Sequence, residues 1–159
     1  MIRVLFVCMG NICRSPLAQG VFEDHVQRAG LEGEIEIDSA GTHAFYHEGE
    51  PPDYRAQESS HARGLDLSHQ RSRMLGSEDC QNFDYILTMD EENYRRVAGI
   101  CNGGAEVRPF LDYASGPETE VPDPYYGGPG GFEHALDLIE RASEGLLAEV
   151  SERLANPRG

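Results

Sequence analysis

"VCMGNICRSP", residues 7–16, decides how this chain is read. It follows the apolar run IRVLF and precedes a helical pattern that opens at Leu17, so it is a bend joining a strand to a helix. In such a bend the main-chain N–H groups and the unsatisfied amides of the helix start converge on one small volume, which attracts anions. Gly10 and Asn11 tolerate the positive φ that a tight cradle needs, and Pro16 suits a first helical turn, where no N–H is missed. The geometry is therefore encoded by consecutive residues.

Cys8 opens the cradle, where amides, the positive helix end and a guanidinium would all favour a thiolate. Settings of that kind bring a cysteine pKa from about 8.5 down to roughly 3.5–7.5. Arg14 closes the loop, and its planar fork can grip two oxygens of a tetrahedral anion such as phosphate. Ser15 can donate a proton to the sulfur when it must leave. Neither GxGxxG nor GKS/T is present, which sets aside the glycine-rich nucleotide loops.

Working outward, strand-like segments occur at IRVLFV (2–7), EIEIDS (34–39), FDYILTM (83–89) and AEVRPF (105–110). Helical stripes lie between and after them: from Leu17 to a stop at Gly30, about 53–63, about 90–98 and about 131–154. Four strands separated by helices predict an open parallel α/β sheet covered on both faces. Ligands in such sheets bind beyond the carboxyl ends of the strands, which is where residues 8–15 fall.

At 159 residues the chain reads as one domain, able to bury roughly two thirds of its unfolded surface without disulfide staples. Cys8, Cys13, Cys80 and Cys101 form no CxxC pair and no zinc spacing, and no charged-then-apolar leader opens the chain. A reduced cytoplasm is the expectation. No apolar run approaches the ~20 residues that span a bilayer, so membrane insertion is not expected. With 28 acidic and 13 basic residues the net charge is −15, which disfavours nucleic acid. Every basic residue is Arg, so there is no Walker lysine and no Schiff-base lysine.

The segment VLFVCMGNICRSP closely resembles the signature of the low-molecular-weight protein tyrosine phosphatases. The likeness continues through IDSAGT (37–42), SHQRSRML (68–75), FDYILTMDEEN (83–93) and DPYYGG (123–128), across essentially the whole chain. It implies a flavodoxin-like doubly wound fold with the phosphate-binding loop after the first strand, and cofactor-free hydrolysis of phosphotyrosine in proteins or peptides through a phosphocysteine. A monomer or weak dimer is expected. The implied roles are nucleophile for Cys8, oxyanion clamp for Arg14, and proton donor then acceptor for Asp123, which the flanking Pro122 and Pro124 hold extended. Met9, Gly10, Asn11, Ile12, Cys13 and Ser15 would form the loop, with Ser39 and His69 supporting it. Cys13 matches a second loop cysteine that can pair with Cys8 under oxidation. Phe45 and Tyr125 would wall the pocket, and Ile12, where related arginine phosphatases carry Thr, favours phosphotyrosine. The stretch HAFYHE (43–48) and the PPDYRA that follows depart from the usual pattern at the pocket mouth.

Two rivals share the loop. A thioredoxin-coupled arsenate reductase would need two further cysteines on a mobile segment, an arrangement Cys80 and Cys101 do not match. A silent phosphotyrosine-binding module would not need Asp123. A metal enzyme is disfavoured because no HExxH or comparable spacing occurs.

Overall fold

The computed structural model describes residues 1–156; of the chain read above as one domain, only 157–159 lie outside it. Its four strands are β1 (Ile2–Cys8), β2 (Ile35–Gly41), β3 (Tyr85–Thr88) and β4 (Glu106–Pro109), all parallel, in the order β2-β1-β3-β4. The expected open α/β sheet is what forms. The helices are α1 (Arg14–Arg28), α2 (Tyr54–His61), α3 (Asp79–Asn82), α4 (Glu91–Ile100) and α5 (Pro129–Ala155).

Alternation along β1 sends its side chains to two cores. Val4, Phe6 and Cys8 join the larger one with α1 and α5, whereas Leu5 and Val7 join the smaller one with Ile86 and Val97. Phe6 anchors the larger core, its ring 4.9 Å from that of Phe110 and 5.8 Å from that of Phe22. Because β1 lies between β2 and β3, its carboxyl end opens into the crevice where strand order reverses.

Helix α1 begins at Arg14, so Pro16 falls in its first turn, as the sequence reading has it. The structure differs from that reading at two places. Helix α3 and the 3-10 turns Ala44–Tyr46 and Phe110–Tyr113 are too short to leave a periodic signal. Cys80 and Cys101 are joined by a disulfide, against the expectation of four reduced thiols. Their 21-residue separation carries no hint of the pairing, which arises because α3 packs beside the end of α4. No helix among the described residues is long and apolar enough to cross a membrane.

Candidate active site

The phosphate loop is built by turning its carbonyls outward. The carbonyl of Cys8 accepts from Thr42 N–H, that of Met9 from His43 N–H and that of Ile12 from Asp53 N–H, at 2.8–3.0 Å. The Gly10 carbonyl accepts from the Ser72 hydroxyl at 3.0 Å. In a planar trans amide the N–H points opposite the carbonyl, so each outward C=O turns the next N–H toward the cavity. One of these amides reports its direction: Asn11 N–H donates to Cys8 Sγ at 3.3 Å.

Asn11 is the one non-glycine residue at positive φ among those described, at 57°, a conformation that costs about 1–2 kcal/mol. Its side chain offsets that cost by bonding in three directions. Nδ2 donates to Ser15 Oγ at 2.8 Å and to Ser39 Oγ at 2.9 Å, and Oδ1 accepts from Arg73 N–H at 3.0 Å. Gly41, at the end of β2, makes room for the bend: a Cβ there would stand 2.6 Å from the Met9 carbonyl oxygen.

Cys8 is buried, and its sulfur lies 3.0 Å from the Ser15 hydroxyl. Arg14 is 3% exposed, with Nη1 donating to Asp90 at 2.7 Å and to the Val121 carbonyl at 3.0 Å. Its Nη2 stands 3.6 Å from an oxygen of Asp123. Burial opposes the charge on Arg14, but Cys8, Asp90 and Asp123 together hold the guanidinium above its ordinary value. Burial also pushes the Cys13 thiol up, with the charges of Asp53, Cys8 and Asp123 adding to the effect.

Over the loop lies a cavity of about 110 Å³. Cys8, Ile12 and Arg14 are among its lining residues, and Asp123, Tyr125, Tyr126 and His47 complete the rim. Asp123 is held by its neighbour, Tyr125 N–H donating to its Oδ1 at 3.0 Å. The cavity brings together a buried sulfur that accepts from a loop amide, a buried cation held by Asp90, and a carboxylate that reaches solvent. That is the equipment of in-line displacement at a tetrahedral anion.

Most of the residues singled out in the sequence converge here, and two do not. His69 is exposed, and the support expected of it comes from its successors: Gln70 is buried and donates to the Pro16 carbonyl at 3.1 Å, while Ser72 and the Arg73 amide hold the loop. Phe45 is 53% exposed and lies tilted against the Tyr46 ring, outside the cavity, because the 3-10 turn Ala44–Tyr46 directs His47 inward instead. Sequence reasoning missed Asp90, which caps α4 through Asn93 N–H as well as pairing with Arg14. Its place at the start of a helical pattern after β3 was a cap signal that could have found it. Among the described residues no group of three or more His, Cys, Asp or Glu side chains is arranged to hold a metal.

Comparison with known proteins agrees with this geometry. A family model described as low molecular weight phosphotyrosine protein phosphatase matches residues 3–156. The chain is 47% identical over 154 residues to the low molecular weight phosphotyrosine protein phosphatase of Schizosaccharomyces pombe, covering 94% of this chain and 97% of that one. It is 42% identical over 156 residues to the low molecular weight protein-tyrosine-phosphatase YfkJ of Bacillus subtilis, covering 96% and 97%. Its fold superposes with a TM-score of 0.91 on a protein tyrosine phosphatase of Entamoeba histolytica with Hepes in the active site, at 39% identity over 96% of this chain and 98% of that one. A likeness that runs nearly end to end, in sequence and in fold, places the chain in the low-molecular-weight phosphotyrosine protein phosphatase family.

Proposed function

We propose that Cys8, Arg14 and Asp123 carry the phosphotyrosine hydrolysis for which the family is named, within a single phosphatase domain. The observation that carries this assignment is the Cys8 sulfur itself, 3.0 Å from Ser15 Oγ and 3.3 Å from Asn11 N–H, in a cavity that the buried Arg14 also lines. The phosphoryl group enters the loop, where amides and the Arg14 fork bind its equatorial oxygens. Cys8 attacks phosphorus as the phenolic oxygen leaves, and Asp123 supplies that oxygen's proton. Water, deprotonated by the same carboxylate, then attacks the phosphocysteine. The sulfur leaves as a thiolate that accepts from Ser15 and from Asn11 N–H.

The substrates are phosphotyrosine-containing proteins or peptides. A phenyl ring lengthens the reach from backbone to phosphate, which a nucleophile at the floor of a cavity rimmed by Tyr125 and Tyr126 requires. The net charge of −15 does not forbid a dianion, since distant carboxylates are screened beyond about 8 Å while the loop acts at contact. We assign the cytoplasm on the requirement that the Cys8 thiol stay reduced for catalysis; the Cys80–Cys101 bond, with Cys80 buried and neither sulfur in the cavity, counts against that assignment. Hydrolysis of p-nitrophenyl phosphate, phosphotyrosine, phosphoserine and phosphoarginine should be compared in wild type and Cys8→Ser, with acid-quench trapping of the phosphoenzyme. Phosphotyrosine is expected to lead the natural esters, and Cys8→Ser to release no phosphate and trap none. Turnover by Cys8→Ser would overturn the covalent route.

A further inference from the structure

We propose that Arg55 is a positioning residue for the general acid, closing a circuit of contacts that ties the acid loop to the phosphate loop; this rests on the assignment of Asp123 made above. The circuit starts at the Ile12 carbonyl, which accepts from Asp53 N–H at 2.8 Å. Both carboxylate oxygens of Asp53 are gripped by Arg55, from Nε and Nη2, each at 3.1 Å. That bidentate pairing fixes the plane of the guanidinium. The guanidinium carbon lies 5.3 Å from the Tyr125 ring centroid and 5.0 Å from that of Phe132, a buried residue of α5. Tyr125 N–H holds Asp123 Oδ1, and Asp123 Oδ2 faces Arg14 at 3.6 Å, back in the phosphate loop.

Without Arg55 the described contacts that hold Tyr125 in place are sparse. Its side chain is 37% exposed, and its ring otherwise meets the 85% exposed Tyr126. Asp53, by contrast, is anchored at the N-terminus of α2, so the pull runs from the rigid loop to the loose one. An exposed ion pair contributes little to stability, so the signature of Arg55 is kinetic: alignment of one proton donor. Proton donation matters more as the leaving group becomes poorer.

The test compares kcat/KM for phenyl phosphate and p-nitrophenyl phosphate in wild type, Arg55→Ala, Arg55→Lys, Asp123→Ala, Tyr125→Leu and Arg55→Ala/Tyr125→Leu. Arg55→Ala is expected to lose about tenfold on phenyl phosphate and less than about threefold on p-nitrophenyl phosphate, a fraction of the loss from deleting the acid itself. Arg55→Lys, which keeps the charge but not the fork, should fall between wild type and Arg55→Ala on the first ester. The double variant should show no greater discrimination between the esters than Tyr125→Leu alone, because both changes break one circuit. Equal losses on both esters in Arg55→Ala, with or without a lowered melting temperature, overturn the inference, as do additive effects in the double variant. If Asp123→Ala discriminates between the esters and Arg55→Ala does not, only Arg55 loses its role; if Asp123→Ala does not discriminate, the acid itself is misassigned.

Discussion

The two loops that meet at the cavity are built on opposite plans. In the phosphate loop, 8–15, the side chains of Cys8, Asn11, Arg14 and Ser15 are buried and each has hydrogen-bonding partners. The acid loop, by contrast, presents Asp123 and Tyr126 to solvent and is held by few contacts, chiefly the Tyr125 amide and the buried Val121. Buried polar groups must be satisfied or they cost free energy, so a loop that binds an anion at its floor has to be over-determined. A carboxylate that first donates and then removes a proton must instead reach solvent and water. Rigidity belongs to the group that stabilises charge, and access to the group that moves a proton.

Deleting the proposed acid gives the largest effect that sharpens this contrast. Asp123→Ala should lose on the order of 10²–10⁴ in kcat/KM on a poor leaving group, while its stability stays within about 0.5 kcal/mol of wild type because the residue is exposed. Calorimetry beside the kinetics checks both halves, and a large loss of stability would break the comparison.

Next comes the staple behind the phosphate loop. Cys80 follows Asp79, whose carboxylate grips Arg73 through two contacts of 3.1 Å, and the Arg73 amide holds Asn11. Opening the 21-residue Cys80–Cys101 span, by Cys80→Ser/Cys101→Ser, should lower stability by about 2–4 kcal/mol in urea melts. The folded fraction should keep its kcat, because neither sulfur lies in the cavity. A lost kcat would show that the loop borrows its rigidity from this distant bond.

Asn11→Ala addresses rigidity at its source. Alanine at φ 57° keeps the strain and loses the side-chain bonds that offset it, an expected cost of about 2 kcal/mol together with a fall in kcat/KM. A melt unchanged from wild type would contradict the role given to Asn11.

The smallest effect is a pH dependence from Cys13. Burial holds its thiol above the ordinary value in the fold, so in alkali the unfolded chain releases this proton first. The stability it contributes is whole below an unfolded thiol's pKa of about 8.5 and shrinks as pH rises past it. Urea melts from pH 7 to pH 10 should show that decline, and Cys13→Ala should flatten it.

Much of the rigid loop is legible in the sequence because its parts are consecutive. Cys8, Asn11, Arg14, Ser15 and Pro16 sit in one bend between an apolar run and an amphipathic stripe, so the roles we propose for them, nucleophile, cradle and clamp, rest on local rules. The four strands and the four longer helices were legible for the same reason: periodicity is local. Asp123 needed the family likeness, since an Asp-Pro in a glycine-rich loop has no chemistry of its own to announce.

Other features depended on segments far apart in the chain. Arg14 meets Asp90 across 76 positions and the Val121 carbonyl across 107. Whether His69 or Gln70 turns inward, against α1, depends on a single residue of register in an irregular segment, and the bond to the Pro16 carbonyl selects Gln70. Phe45 gives way to His47 at the rim because of a 3-10 turn only three residues long.

The amino-acid order by itself determined where the loop lies and which sulfur and cation it carries, because strand ending, turn and helix start are neighbours in the chain. Only the tertiary structure decided what braces that loop and aims the proposed acid: Asp90, Ser72, the Arg73 amide, and the line from Asp53 through Arg55 to Tyr125. Those contacts join segments whose proximity is set by which faces of the sheet bury α1, α4 and α5, and burial of that kind depends on the sum of the chain's apolar surface and on no single stretch of it.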